Sequence, residues 1–225
     1  MRNIRKTSSP VRNRRMKGHM SDRLQVSVAV FLAALSLVFG GRSAAAQGIV
    51  EYSRDPGTVV VSFTEILGEI GEVDRGPSLQ IYGDGYALVH YPSYMRRAGD
   101  YALQLSQQEM DRLLRSLIGN KVLEFDEEET RRSKRQAAAE AQEDLQSTLF
   151  AVADASTTVI EVRLDRYQPA GEAGQEILNV DKKITWYGLR SDARRYPNIE
   201  AIQKLAAAQK ELWAVMQRQD LEKIK

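Results

Sequence analysis

Few side chains in this 225-residue sequence can do acid–base or metal chemistry: it has two histidines, His19 and His90, and no cysteine. The lack of cysteine removes disulfides, thiol nucleophiles, thiolate metal sites and a lipid-modified cysteine anchor. His90 lies close to Tyr91 and Tyr94 and is the one histidine outside the first forty-six residues. An imidazole titrates near neutrality, but as a catalytic base it needs a nucleophile and a carboxylate within hydrogen-bond reach. Ser93 and Ser106 are the nearby hydroxyls, and Ser106 already has a capping role. The nucleophile elbow Gly-x-Ser-x-Gly, the phosphate-binding Gly-x-x-x-x-Gly-Lys and the metalloprotease His-Glu-x-x-His are absent. Catalysis is thus the function class with least support, and a hydrolase using His90 is the alternative reading.

Calcium needs about six or more oxygens and a patterned acidic loop, whereas Gly83-Asp84-Gly85 offers one carboxylate. Asp84 and Asp100 read as turn residues, and Glu127-Glu128-Glu129 as helix-start charges. No metal and no cofactor is expected. The chemistry that remains is recognition. Trp186, Tyr187, Arg190, Arg194, Arg195 and Tyr196 stand close together, and Arg96-Arg97 lies beside Tyr91 and Tyr94. Arginine and aromatic side chains combine large contact area with directional hydrogen bonds, the types enriched where proteins bind partners or anionic groups. These eight residues are the candidate binding set, and a solvated loop with a core tryptophan is the competing account.

The elements that must carry these residues are legible in outline. Residues 47–57 read as a flexible lead-in ending in the turn Asp55-Pro56-Gly57, so order is expected from near Thr58. Val59 to Ile66 predicts a strand with Val59, Val61 and Phe63 on one face. After a Gly-rich connection, Leu67 to Pro77, two short runs, Ser78 to Tyr82 and Tyr86 to Tyr91, flank Gly83-Asp84-Gly85 and predict a hairpin. A strand over Tyr101 to Leu105 follows. Ser106-Gln107-Gln108-Glu109 has the spacing of a capping box, with Leu105 and Met110 placed as a hydrophobic staple. The helix it opens carries the stripe Met110, Leu113, Leu114, Leu117, Ile118 and stops at Gly119-Asn120.

A charged tract, 126–146, reads as a solvated helical insertion in which Glu127 with Arg131 and Glu128 with Arg132 have the favourable acid-first order; a partner-binding arm is its functional alternative. Thr157 to Leu164 and Ile184 to Leu189 read as strands with a loop at Pro169 to Gly174 between them. The last helix is expected to be capped by Asn198, with Ile199, Ile202, Leu205, Ala206, Leu212, Trp213 and Met216 at helical spacing. There is no internal repeat. The expected fold is a single α+β domain over 58–221: a largely antiparallel sheet, two amphipathic helices on one face, the charged insertion, and a signal segment in front.

That segment, 1–46, has a basic start, an apolar run from Leu24 to Phe39, and Ala44-Ala45-Ala46, where small residues suit signal peptidase. The run is short of the roughly 20 residues a spanning helix needs, so cleavage after Ala46 is expected, and membrane association follows only if the leader is uncleaved. Met16 and Met20 offer later starts, and Arg14-Arg15 invites a twin-arginine reading as a minor alternative, although Met16-Lys17-Gly18 does not continue that motif well and the pair stands well before the run. The leader holds nine of the 32 Lys and Arg and one of the 30 acids. The remainder has 23 bases against 29 acids, a net charge of about −6, which disfavours nucleic acid as a partner. A periplasmic or secreted protein stabilised by its core alone is expected.

The hairpin, Leu105-Ser106-Gln107-Gln108-Glu109 opening a helix with Leu113-Leu114, the exit at Phe125, two further strands and the Pro197, Ile199, Ile202 start of a closing helix resemble, over Thr58 to Leu205, the emfourin-type inhibitor domains of thermolysin-like metalloproteases. Several families of exported bacterial domains of unknown function are resembled equally. The resemblance implies a non-catalytic, protein-binding role, such as an inhibitor or accessory subunit acting on another envelope protein. The leader, the insertion and the long last helix depart from that pattern, and no inhibitory residue carries over. A third reading, an envelope-associated structural protein, would be favoured by an exposed apolar stripe on the last helix.

Overall fold

A computed structural model describes residues 48–67, 76–141, 155–169 and 175–224. The leader, most of the Leu67 to Pro77 connection, the end of the insertion and the loop at 170–174 lie outside the described residues. The described residues belong to one compact unit. It is an α+β fold with a largely antiparallel sheet and four described helices.

The strands are β1 (Ile49–Glu51), β2 (Val59–Ile66), β3 (Ser78–Tyr82), β4 (Tyr86–Tyr91), β5 (Gly99–Gln104), β6 (Thr157–Gln168), β7 (Ile177–Tyr187) and β8 (Glu222–Lys223). They run in the order β1-β6-β2-β3-β4-β5-β8, with β7 on the other side of β6. Both β1 and β2 pair with β6, at Arg166 to Gln168 and Thr157 to Val162 respectively. The lead-in is therefore part of the sheet, contrary to the expectation of a flexible segment: Tyr52 is buried and Glu51 pairs with Arg166.

Period-two alternation buries one face. Phe63, Leu79, Ile81, Val89, Ile160, Val162 and Ile184 are almost inaccessible, while Ser62, Gln80, Glu161 and Lys183 share the opposite, solvated face. A register shift between Val59 and Val61 departs from the expected face assignment. It turns both Val60 and Val61 inward and leaves Val59 only half-buried. The expected hairpin is present. Gly85 takes a left-handed φ of 85°, and a Cβ on Gly83 would meet the Ser53 carbonyl at 2.1 Å, so both glycines are required. Asp84 accepts a hydrogen bond from the Tyr86 N–H at 2.9 Å, a turn role.

Helix α1 (Gln107–Gly119) begins at the capping box: Ser106 Oγ accepts from the Glu109 N–H at 3.3 Å, and the Glu109 carboxylate accepts from the Ser106 N–H at 2.8 Å. Met110, Leu113, Leu114 and Leu117 are buried. Helix α2 (Glu127–Glu140) is the charged insertion, capped by Asp126 and burying Thr130 alone. Helix α3 (Leu189–Arg195) occupies a stretch read in the sequence as strand end and loop; Gly188, at φ 71°, turns the chain out of β7 into it. Helix α4 (Glu200–Met216) has Ile199, not Asn198, at its N-cap and no side-chain cap. Its stripe of Ile202, Leu205, Leu212 and Met216 is buried, so the exposed face that would have favoured an envelope structural protein is not seen. Trp213 meets Phe63 of β2 edge-on at 5.9 Å. Strands β6 and β7 are longer than expected because charged residues on their solvated face pair across the ladder, Lys183 with Glu161 at 2.7 Å and Arg163 with Asp181 at 3.4 Å. No described helix is long and apolar enough to cross a membrane.

Candidate functional site

The six residues around α3 separate into a foundation and a surface. Trp186, on β7, is 1% exposed and Tyr196, after α3, is 6% exposed, so neither presents a ring to a partner. The Trp186 indole N–H donates to Asp192 Oδ2 at 2.8 Å, and Lys134 of α2 donates to the same oxygen at 2.7 Å. Phe125 packs edge-on against Trp186 at 5.7 Å, and the Arg131 guanidinium lies 4.7 Å from the indole. A buried carboxylate is tolerated only when it is paired and hydrogen-bonded, and Asp192 is both. Two helices and β7 are locked together through it.

Above this foundation, Tyr187 is 40% exposed, Arg194 is exposed and Arg195 is half-buried. Arg190 is exposed over much of its length and donates to Glu65 Oε2 at 2.9 Å, with its guanidinium 5.5 Å from the Trp213 ring. Glu65 was not singled out in the sequence. It is 5% exposed, accepts from the Ser156 hydroxyl at 2.5 Å and from the Trp213 indole N–H at 3.0 Å, and closes the network under Arg190. Its signal was available: Val61, Phe63 and Glu65 fall on one phase of the strand, and a carboxylate on the apolar phase needs partners.

Arg96 and Arg97 belong elsewhere. They lie between β4 and β5, with β6, β2 and β3 intervening between β4 and β7, so the two arginine groups do not form one site. Arg97 sits over Tyr101 at 5.0 Å and Tyr91 at 5.8 Å and reaches the Arg218 carbonyl at 3.5 Å. It braces the core, while Arg96 is exposed. Tyr91 donates to the Met216 carbonyl at 2.6 Å, and burial raises its hydroxyl pKa above the ordinary value.

His90 is the one described imidazole. Its Nδ1 stands 2.6 Å from Asp100 Oδ1 across the β4–β5 ladder, and both side chains are about two-fifths exposed. Ser78 of β3 is the register partner of His90 on its other side, so Ser78, His90 and Asp100 form one row across three strands of the solvated face. Ser106 is committed to the α1 cap.

Among the described residues, three clefts lie away from these groups. One of about 380 Å³ is lined by Lys121, Glu124, Asp126, Glu129, Glu200 and Lys204 among others. A groove of about 570 Å³ runs between α1 and α4 past Leu105, Leu113 and Val215, with Glu109 and Arg218 at its margin. A third, of about 170 Å³, adjoins β1. None of the three is lined by His90 or by the arginines of α3. Among the described residues no three His, Cys, Asp or Glu side chains are grouped to hold a metal ion.

No protein-family model matches this chain, and no curated protein or solved structure matches it significantly.

Proposed function

We propose that the chain is an exported, non-catalytic binding protein, cleaved after Ala46 and acting in the periplasm or outside the cell on another envelope protein, as an inhibitor or accessory subunit. The surface we assign to that contact is Tyr187, Arg190, Arg194 and Arg195. The supporting observation is the way α3 is mounted: Arg190 and Arg194 stand one turn apart on a helix whose base is fixed by the Asp192 contacts to Trp186 and Lys134. Arginines on a rigid base lose less freedom on binding, and Arg and Tyr side chains dominate protein interfaces. Such a surface suits an acidic patch on the partner.

The test is capture from envelope extract by the tagged mature protein. Arg194→Ala with Arg195→Ala is expected to reduce capture at least tenfold with an unchanged circular dichroism spectrum, and His90→Ala to leave capture intact. Equal capture by the double variant and the wild type would remove the proposal.

A second reading, a hydrolase acting through His90, has one observation in its favour, the row of Ser78, His90 and Asp100 with its 2.6 Å His–Asp contact. It requires that His90→Ala abolish function in a protein that remains folded and abundant, with the double arginine change silent.

A further inference from the structure

Thr185 on β7 is hydrogen-bonded by side chains as if by a neighbouring strand. Its N–H donates to Glu127 Oε1 at 2.8 Å, and its carbonyl accepts from Arg131 at 3.2 Å. Both partners belong to α2, one turn apart, and pair with each other at 3.5 Å. The Thr185 backbone groups therefore point away from β6. Along an antiparallel ladder that direction recurs every second residue, so Lys183 and Asp181 also turn their N–H and C=O groups to the outer edge. Among the described residues β7 pairs with β6 alone, which leaves this edge without a strand partner there. Open edges pair with other edges unless something blocks them.

We propose that β7 is a self-association edge whose occupant is β7 of a second copy, and that the Glu127–Arg131 pair of α2 holds it closed. The register supports a second copy. Two β7 strands run antiparallel about a two-fold axis at Lys182 place Asp181 of each copy opposite Lys183 of the other, giving two cross-strand charge pairs. An axis one residue either way would set Lys183 against Lys183 or Asp181 against Asp181. The same axis brings Ile177, 49% exposed, opposite Tyr187, 40% exposed, two apolar groups at opposite ends of the strand within one copy. It also brings Lys182 opposite Lys182, but each of those ammonium groups is already held by the Phe125 carbonyl of its own chain at 2.6 Å. α2 stands in the way, because its two side chains occupy the place of the incoming strand at Thr185. Thr130 is its one buried residue and Lys134 ties it to Asp192, so it is the Glu127 and Arg131 side chains, not the helix, that must leave Thr185.

Light-scattering molar mass of the purified protein tests this. The wild type is expected to be monomeric, Glu127→Ala with Arg131→Ala to approach twice that mass as concentration rises, and addition of Lys183→Pro, which removes an outward N–H, to restore the monomer. A folded double variant that stays monomeric at millimolar concentration would overturn the proposal. So would a dimer that survives Lys183→Pro, or a wild-type dimer that Lys183→Pro dissolves, since then nothing holds the edge closed. If the double variant loses its circular dichroism spectrum, single-cysteine variants made in the Glu127→Ala protein, which frees the Thr185 N–H, serve instead, the chain having no cysteine of its own. Under mild oxidation Lys182→Cys, on the axis, should cross-link at least tenfold faster than Thr185→Cys, which the register sets opposite Asn179. Equal rates would overturn it.

Discussion

The indole N–H of Trp213 on α4 donates to the buried carboxylate of Glu65 on β2 at 3.0 Å, joining residues 148 apart in the chain. Glu65 also takes Arg190 and the Ser156 hydroxyl, so one carboxylate ties the end of β2 to α3, to α4 and to the start of β6. Glu65→Ala is expected to cost about 2 kcal/mol or more, because it removes at once the acceptor of an indole N–H, of a hydroxyl and of the largely exposed Arg190. Trp213→Phe keeps the ring against Phe63 and removes a single donor, and should cost about 1 kcal/mol. Urea denaturation of both variants checks the order; an equal cost would mean that the Trp213 bond carries the whole contribution of Glu65 and the other two donors add nothing.

The cap and the stripe of α1 should differ in magnitude. Ser106→Ala removes an exposed helix cap, worth about 1 kcal/mol. Leu114→Ala empties a fully buried site and is expected to cost about 2 to 5 kcal/mol. Comparable and negligible shifts of the urea midpoint would contradict the burial of that stripe.

Acid should loosen the α1–α4 junction. Hydrogen bonds from the Ser106 hydroxyl and N–H, followed by Arg218, hold the Glu109 carboxyl down at about 2, below its ordinary value. A depressed acid favours the folded state at pH values above its unfolded pKa, and that contribution is lost as pH falls toward the folded value. Wild-type stability should therefore drop between about pH 5 and pH 2, and Glu109→Gln should drop less steeply across that window while being less stable at pH 7. The side chain is partly open to solvent, so the effect is smaller than the shift alone suggests. Parallel slopes for the two proteins would show that Glu109 does not carry the acid sensitivity.

The parts of the fold that could be read in the sequence are those where local chemistry has one solution. Ser106 with Glu109 announces a helix start, and Gly83-Asp84-Gly85 announces a tight hairpin, because both patterns satisfy or bend the backbone within a few residues. The first half of β7 was hidden because Asp181, Lys182 and Lys183 resemble a loop until Glu161, Arg163 and Phe125 are in place to receive them. Helix α3 was hidden because it depends on the left-handed Gly188 and on Asp192 reaching Trp186 and Lys134. Residue type marked Trp186 and Tyr196 as contact residues but could not tell which side of the chain would be covered. Glu65, which closes the network under Arg190, differs: it continues the apolar phase of Val61 and Phe63, and that phase is what marks it as buried.

The join between β2 and β6 has a consequence for how quickly the chain reaches its native state. β3, β4 and β5 follow one another with short turns, so each ladder among them closes locally. Val61 meets Val162 and Phe63 meets Ile160, about a hundred residues away, and through that one ladder the β1-β6-β7 part joins the β2-to-β5 part. Closing so long a loop is entropically slow, and until it closes Phe63, Ile160 and the strand edges beside them stay open to water and to other chains. The middle of the finished sheet is thus expected to form late, as are the equally long-range β1–β6 and β5–β8 ladders at its ends, and the interval before it forms is when the protein most needs to be kept from its neighbours.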